Sequence, residues 1–325
     1  MAKVNTVLGP ISPDQLGITL MHEHIVYGYA GWYADDTIAP FDREAVVKTS
    51  LDTMEELKTY GVKSFVDATP NDSGRDVTLL KEVSEKSGMS IICATGLYNE
   101  AEGAPAYFKF RSTIPVFDVV NEIQEMFVKE ITQGIGTTGV TAGVIKVGTG
   151  HGCISAYEER VLKAAARASK ETGVPIITHT EAGTMGPEQA DVLISEGADP
   201  KRIMIGHAGG SADLKYHTAI LERGVYLAFD RLGIDMPPAM SDSMRKGCII
   251  GLIALGYANS IMLSHDSIVR WLGRPVEQLL TLMMPNWHPR HIFKNIIPAL
   301  KGAGVSNEQV NMIMEENPRR LFAGE

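Results

Sequence analysis

The sequence contains little cysteine, and the cysteines it has form no recognisable pattern. Three occur in 325 residues, Cys93, Cys153 and Cys248, and they are widely spaced. An odd number without CxxC or zinc-finger spacing argues against a disulfide framework and indicates a reducing compartment. We therefore interpret each cysteine as a small buried hydrophobic residue.

Long apolar runs and an excess of basic charge are also missing. No stretch reaches the about 18 apolar residues that a transmembrane helix needs, and residues 1–14 lack the basic and apolar segments of a secretory signal. The formal net charge of −9 argues against nucleic acid or an anionic membrane as partner. We expect a cytoplasmic protein that acts on a small molecule.

What the sequence does contain is an alternation of short β-rich apolar runs with longer segments of helical period. This alternation predicts parallel strands joined by helices. The predicted strands are Gly17–His22, Ser64–Ala68, Ser90–Thr95, Gly143–Val147, Pro175–Thr178, Ile203–Gly206, Val225–Phe229 and Ile261–Ser264. The predicted helices include Arg43–Tyr60, Val77–Ser87, Ala156–Thr172, Pro187–Glu196, Ala212–Arg223 and Asp242–Tyr257.

Eight such units favour a closed (β/α)8 barrel, formed by residues 1–325 as a single domain. Residues Thr6–Leu16 predict a small hairpin that closes the bottom of the barrel, and His288–Phe322 predicts the eighth helix with a short terminal one. The alternative is an open doubly wound sheet, which usually has a Gly-rich nucleotide loop after its first strand. Here the first strand runs into Met-His-Glu-His instead.

Histidines stand at the ends of several predicted strands, where barrel enzymes place their chemistry. His22 and His24 are two residues apart, so both imidazoles can point to one side and bind one cation. His179 and His207 each follow an apolar run on successive strands. Any one of them alone could be an incidental or buried structural histidine. Four of the nine histidines at strand ends predict a metal site.

Lys146 lies inside a predicted barrel strand, in the context Ala-Gly-Val-Ile-Lys-Val-Gly. A buried ammonium is costly unless it is paired, so one interpretation is a salt bridge to a neighbouring carboxylate. An ammonium beside four histidines would also repel cations. Both difficulties disappear if the amine reacts with carbon dioxide to give a carbamate, whose two oxygens can bridge two metal ions.

Asp266 follows Ile-Met-Leu-Ser-His at the end of the eighth predicted strand. There its carboxylate could bind a cation and accept a proton from a bridging water. The alternative interpretation is an N-cap for the next helix, because aspartate is favoured at that position.

At this point the sequence resembles the phosphotriesterase family of the amidohydrolase superfamily, and within it the phosphotriesterase-like lactonases. The resemblance covers nearly the whole chain. The motifs that carry it are MHEH at 21–24, GVIKVG at 143–148, VLKAAARASKETGVPIITHT at 161–180, IGHAG at 205–209, AFDR at 228–231, SHD at 264–266, WLGRP at 271–275 and ENPRRLF at 316–322.

The resemblance implies a metal-dependent hydrolase with two divalent cations, zinc first, with cobalt, manganese or iron as alternatives. His22, His24 and Asp266 would hold the more buried cation. His179 and His207 would hold the more exposed one, and carbamylated Lys146 would bridge both. A bridging hydroxide would attack the substrate, and Asp266 would carry the proton.

The same resemblance assigns the residues that select the substrate. Tyr98, Arg231 and Trp271 match the tyrosine after strand three, the arginine after the strand-seven aspartate and the tryptophan of the last loop in lactonases. Efficient organophosphate hydrolases have histidine in place of Arg231. Each residue also has a purely structural interpretation. Tyr98 could be an aromatic that fills the rim, Arg231 could form a local salt bridge with Asp230 or another carboxylate, and Trp271 could cover apolar surface.

The aromatic-rich loop 25–41 resembles lactonases that accept hydrophobic lactones. We therefore expect hydrolysis of γ- or δ-lactones, with N-acyl homoserine lactones also open, and weaker phosphotriesterase activity in a homodimer. The alternative function is an organophosphate or aryl-ester hydrolase with the same site. A metal-binding scaffold would need a broken ligand set. A metal-free glycosidase using Asp67 and Glu100 would leave the histidines without a role.

Overall fold

A short antiparallel hairpin precedes the barrel in the computed structural model, which describes residues 2–325; Met1, the first residue of the predicted domain, lies outside them. The hairpin pairs β1 (Val4–Thr6) with β2 (Gly9–Ile11) and so begins earlier than predicted. Val4 and Leu16 are fully buried among the side chains that fill the barrel interior. The predicted hairpin at the bottom of the barrel is confirmed.

The barrel wall consists of eight parallel strands, each hydrogen-bonded to the next along the chain. These are β3 (Ile18–Tyr27), β4 (Val62–Asp67), β5 (Ser90–Gly96), β6 (Val144–Thr149), β7 (Ile176–Thr180), β8 (Ile203–Ile205), β9 (Tyr226–Phe229) and β10 (Ile261–Leu263). Each overlaps its predicted strand, and the (β/α)8 TIM barrel is confirmed.

The first and last strands are joined by the segment that follows β10. The Asp266 N–H donates to the His22 carbonyl at 3.0 Å, and the His24 N–H donates to the Ser267 carbonyl at 2.8 Å. A short strand then follows, β11 (Ile268–Trp271), which pairs in parallel with β3. The chain after β10 therefore closes the barrel.

Helices lie in the connections between the strands and after the last one. They are α1 (Arg43–Thr59), α2 (Val77–Ser87), α3 (Ala106–Arg111), α4 (Val119–Thr132), α5 (Ala156–Thr172), α6 (Gly186–Ser195), α7 (Leu214–Leu221), α8 (Asp242–Ala254), α9 (Glu277–Met283), α10 (Ile297–Gly302), α11 (Asn307–Asn311) and α12 (Asn317–Ala323). Two π-helical turns, Ile292–Ile296 and Met312–Glu316, connect with these helices, so the C-terminal stretch forms two helical segments. The second segment, residues 307–323, is longer than the short terminal helix that was predicted. No helix within residues 2–325 is long and apolar enough to cross a bilayer.

Local sequence explains where the connecting helices begin and end. Helix α5 starts with a capping box, in which the Ser155 side chain accepts from the Glu158 N–H and Glu158 accepts from the Ser155 N–H. It ends at Gly173, whose φ of 74° is a conformation that suits glycine. The chain therefore leaves α5 at Gly173 and enters the next strand, β7, at Ile176.

The strands are buried on both faces, and the period of two decides which side chains enter the barrel. In β6, Val144 belongs to the interior cluster, whereas Ile145 and Val147 pack against the helices. Lys146 therefore faces the interior. Cys93 and Cys248 are buried as predicted, but Cys153 is exposed because it lies in the loop after β6, so that prediction was wrong.

Candidate metal centre

The six side chains predicted as metal ligands lie together at the carboxyl end of the barrel. They are His22 and His24 in β3, Lys146 in β6, His179 in β7, His207 directly after β8, and Asp266 after β10. The His207 ring centroid lies 4.7 Å from that of His22 and 4.6 Å from that of His179. The structure thus brings together all six.

Asp266 lies in the middle of this group. Its Oδ1 is 3.0 Å from His24 Nε2 and 3.4 Å from His22 Nε2, and its Oδ2 is 3.6 Å from His207 Nε2. Three potential ligand atoms lie within 4.8 Å of one another, one each from His22, His24 and Asp266, and this spacing suits a single cation. Asp266 does not cap a helix, so the alternative interpretation of this residue is wrong.

Lys146 is fully enclosed, and the polar atoms that contact its amine are not carboxylates. Its Nζ lies 3.1 Å from His22 Nε2 and 3.3 Å from the Thr178 carbonyl oxygen. Burial lowers the pKa of Lys146 to about 8. Gly96 pairs with Lys146 across the sheet, and a side chain at Gly96 would overlap the Lys146 carbonyl. The amine is thus partly neutral and confined beside the imidazoles.

Burial favours the neutral, ligand-competent form of three of the clustered imidazoles, those of His22, His179 and His207. It lowers the pKa of His22, lowers that of His207 well below its ordinary value, and lowers that of His179 to about 4. A neutral imidazole has a lone pair, which metal binding requires. Burial alone would raise the pKa of Asp266, but the nearby histidines and Arg231 hold it well below its usual range.

Asp230, which the sequence analysis considered only as a partner of Arg231, orients two of the histidines. Its Oδ2 lies 2.7 Å from His22 Nδ1 and its Oδ1 lies 3.0 Å from His207 Nδ1. The His207 N–H also donates to Oδ1. A carboxylate on Nδ1 fixes the tautomer and leaves Nε2 free for a cation. Its position at the end of β9 was the signal that could have identified it.

His179 and Tyr98 are in direct contact, with 5.0 Å between their ring centroids. His179 Nε2 lies 3.0 Å from the Glu181 carboxylate, which can only accept, so the ring proton is on Nε2. His179 Nδ1 therefore carries the lone pair that a cation would use, and the Tyr98 hydroxyl lies 2.9 Å from it. Burial raises the pKa of Tyr98 well above its ordinary value, which keeps that hydroxyl protonated.

A cavity of about 180 Å³ opens directly above the cluster. Most of its walls are aromatic and apolar side chains, with two further charged groups at Glu102 and Arg231. The aromatic walls are Tyr27, Tyr29, Tyr98, Trp271 and Trp287. Tyr27 and Tyr29 belong to the aromatic-rich segment 25–41 noted in the sequence, whereas Trp287 was missed because nothing local indicates that its distant part of the chain reaches the cavity.

Arg231 and Trp271 both line this cavity. Arg231 makes the salt bridge that was one of its two interpretations, whereas Trp271 lies outside the expected loop. The Arg231 Nε donates to Asp266 Oδ2 at 3.0 Å, so its carboxylate partner is Asp266 and not Asp230. Trp271 was expected in a loop but is the last residue of β11, where it pairs with Tyr27 of β3. Its ring packs edge-on against Tyr27 at 5.5 Å.

Comparisons with known proteins agree with this geometry. The Phosphotriesterase family pattern matches residues 2–322. A "Phosphotriesterase homology protein" of Mycobacterium tuberculosis is 37% identical over 99% of this chain and 98% of its own length. An "Aryldialkylphosphatase" of Saccharolobus solfataricus is 33% identical over 96% of this chain and 97% of its own.

Solved structures give the same result. An organophosphorus hydrolase from Deinococcus radiodurans superposes with a TM-score of 0.96 and 46% identity, covering 99% of this chain and 97% of that one. A mutant described as a PTE-like lactonase from the same organism gives a TM-score of 0.95, 45% identity and coverage of 98% and 99%. This chain belongs to the phosphotriesterase family and is a hydrolase.

Proposed function

We propose that this hydrolase opens γ- and δ-lactones at a centre of two divalent cations and hydrolyses phosphotriesters more slowly. His22, His24 and Asp266 would hold the inner cation, His179 and His207 would hold the outer one, and carbamylated Lys146 would supply a ligand to both. Zinc is the first choice, and the same nitrogen and oxygen ligands accept cobalt, manganese or iron.

The donor set fits such a centre. Neutral imidazoles and a carboxylate are suitable ligands, and the Lys146 amine is buried with a pKa of about 8 and no carboxylate in contact. A neutral amine can attack the carbon of carbon dioxide, forming an N–C bond and releasing one proton. The resulting carbamate supplies the second anion that a pair of cations beside Asp266 requires.

When bound, the cations supply Lewis acidity for the substrate carbonyl oxygen and lower the pKa of water. The protein groups do the rest. Asp266 takes the proton as the oxygen of water attacks the carbonyl carbon. It then gives that proton to the ring oxygen as the carbon–oxygen bond of the lactone breaks. The Arg231 guanidinium, 3.0 Å from Oδ2, holds the carboxylate in position between these two transfers.

The observation that carries the preference for lactones is the aromatic cavity above the cluster. Its walls suit an alkyl or acyl chain better than a charged group, and they place that chain next to Tyr98 and Arg231. The two cationic groups that line it, Lys146 and Arg231, are already engaged by His22 and Asp266. A phosphorylated lactone is therefore not favoured here. Such a substrate is indicated for one relative by its name, the 32% identical "Phospho-furanose lactonase" of Mycoplasmopsis agalactiae.

A second candidate is an organophosphate or aryl-ester hydrolase that uses the same residues. It is favoured by the names of two relatives, the aryldialkylphosphatase and the organophosphorus hydrolase. Against it stands Arg231, where the efficient phosphotriesterases that the sequence resembles have histidine.

The test is to strip the enzyme with a chelator, reload it with Zn²⁺ or Co²⁺, and measure hydrolysis of δ-decanolactone beside paraoxon. We expect activity that depends on metal, with kcat/KM for the lactone far above that for paraoxon. An N-acyl homoserine lactone, assayed in parallel, measures the acyl-chain preference. Paraoxon turnover without lactone turnover would establish the second candidate, and turnover without metal would refute both.

We further propose that residues 1–325 act as one domain in a cytoplasmic homodimer. The domain proposal rests on a single run of alternating strands and helices, and the dimer rests on the resemblance to the lactonases. Light scattering of the purified protein gives a mass near twice 35.3 kDa if the dimer exists.

A further inference from the structure

Glu23 is a buried acidic residue between two predicted metal ligands, and the mechanism above gives it no role. It has no exposed surface. His22 and His24 point into the barrel, and the alternation along a strand directs the Glu23 side chain to the other side. A carboxylate held in the protein interior needs strong hydrogen-bond partners.

Those partners are all in the segment that carries Asp266. Glu23 Oε1 accepts from the Ser264 hydroxyl at 2.8 Å, from the His265 N–H at 2.9 Å and from His265 Nδ1 at 2.7 Å. Glu23 Oε2 accepts from the Ser267 N–H at 2.8 Å and from the Ser267 hydroxyl. The carboxylate therefore binds the residues on both sides of Asp266, but not Asp266 itself.

The orientation of the His265 ring follows from a second contact. The Ile292 N–H donates to His265 Nε2 at 3.1 Å, so this nitrogen carries the lone pair and Nδ1 carries the proton. The Nδ1 proton is thus donated to Glu23. In all five hydrogen bonds the Glu23 carboxylate oxygens are the acceptors.

The backbone between these residues needs such support. Asp266 has a φ of 56°, in the left-handed region that side chains other than glycine rarely adopt. This strained conformation persists only where the surroundings impose it. It directs the Asp266 carboxylate into the barrel, 3.0 Å from His24 Nε2.

We propose that Glu23 is the positioning residue for Asp266. It fixes residues 264–267 in the turn that presents the Asp266 carboxylate to the centre, and it affects metal binding and turnover through Asp266. This inference rests on the role proposed above for Asp266 as a ligand and proton carrier.

Glu23→Gln tests the role because it keeps the size of the side chain. Whichever way the amide turns, its NH2 group faces a backbone N–H, that of His265 or that of Ser267. The turn then loses its fixed shape while His22, His24 and Asp266 remain. Glu23→Asp keeps the charge with a shorter reach and gives a milder version of the same change if Glu23→Gln does not fold.

The experiment is a double-mutant cycle of Glu23→Gln and Asp266→Asn, measured as Co²⁺ affinity by competition with a chelator and as kcat. We expect Glu23→Gln alone to weaken Co²⁺ binding about 10–100-fold, the range for residues that support metal ligands. In the Asp266→Asn background the same change should cost less than about threefold, because its effect passes through Asp266.

Glu158→Gln is the matched control. Glu158 is also buried and accepts from three backbone N–H groups, those of Glu100, Gly150 and Ser155, but it does not contact the ligands. It should lower the thermal midpoint and leave Co²⁺ affinity unchanged.

The outcomes separate the inference from the proposed function. Wild-type Co²⁺ affinity in Glu23→Gln, or equal losses in both backgrounds of the cycle, would overturn the role of Glu23 alone. Wild-type Co²⁺ affinity and kcat in Asp266→Asn would overturn the proposed function of Asp266, and the inference with it.

Discussion

The Asp230 carboxylate holds the His22 imidazole, with 2.7 Å between Oδ2 and Nδ1. The other carboxylate oxygen holds His207 in the same way, at 3.0 Å. One buried side chain thereby orients two imidazoles that we assign to different cations. The two halves of the proposed centre are thus coupled through Asp230 as well as through Lys146.

Asp230→Asn should therefore weaken metal binding. An amide has one acceptor oxygen, so one imidazole loses its fixed tautomer, and the expected loss of metal affinity is about 10–100-fold. Chelator competition with Co²⁺ measures it. Asp191→Asn, which removes a surface ion pair with Arg223, is the control and should bind as the wild type does. Equal affinities of the two variants would contradict this account.

The barrel and the six candidate ligands could be predicted from the sequence because both depend on local patterns. His179 and His207 follow apolar runs, and the geometry of a barrel then brings the strand ends together. The role of Asp230 could not be predicted in this way. It depends on which imidazole faces which oxygen, and the neighbouring Arg231 suggested a local ion pair that the structure replaces with Asp266.

Glu23 was missed for a related reason. Its place inside MHEH drew attention to the two histidines, whereas its own partners lie more than 240 residues away in the chain. The aromatic-rich segment that contains Tyr27 was noted, but the cavity wall Trp287 was missed because nothing in its local sequence marks it as a neighbour of the site. Local periodicity predicts the direction of a side chain, but only the folded chain shows what it meets.

Lys146→Ala should remove most of the bound metal and lower kcat about 100-fold or more, because the bridging anion is lost. Short carboxylic acids such as acetate should restore part of the activity by occupying the space of the carbamate. Metal content and lactone hydrolysis, with and without acetate, measure this. Lys163→Ala, which removes a partly exposed ion pair with Glu159 on helix α5, is the control. Full activity of Lys146→Ala without acetate would refute the carbamate.

Arg231→His should shift the enzyme from lactones toward phosphotriesters. The change removes the charged hydrogen bond to Asp266 Oδ2, and such bonds contribute about 1.5–3 kcal/mol. The ratio of kcat/KM for δ-decanolactone to that for paraoxon should fall about tenfold or more. An unaltered ratio would mean that Arg231 does not determine specificity.

Asp72→Asn should change how stability depends on pH. The Asp72 carboxylate accepts from the Tyr98 N–H, and burial raises its pKa from 3.8 to about 6. The folded state therefore holds the proton more tightly than the unfolded state does. Relative to Asp72→Asn, the wild type should lose about 1–3 kcal/mol of unfolding free energy as the pH rises from about 4 to about 7.

Urea unfolding of the two metal-free proteins at several pH values measures this difference, without interference from metal release at low pH. A difference between the variants that stays constant with pH would show that folding does not shift the pKa of Asp72. A difference that favours the wild type at high pH would show that folding lowers this pKa, and either result would contradict the prediction.

The most direct test of the central claim is to titrate the metal-free enzyme with Co²⁺ while following δ-decanolactone hydrolysis. Two cations bound through six side chains predict that activity rises until two equivalents per chain have been added and then stays constant. Full activity after one equivalent, or activity that does not respond to Co²⁺, would contradict a centre of two metal ions.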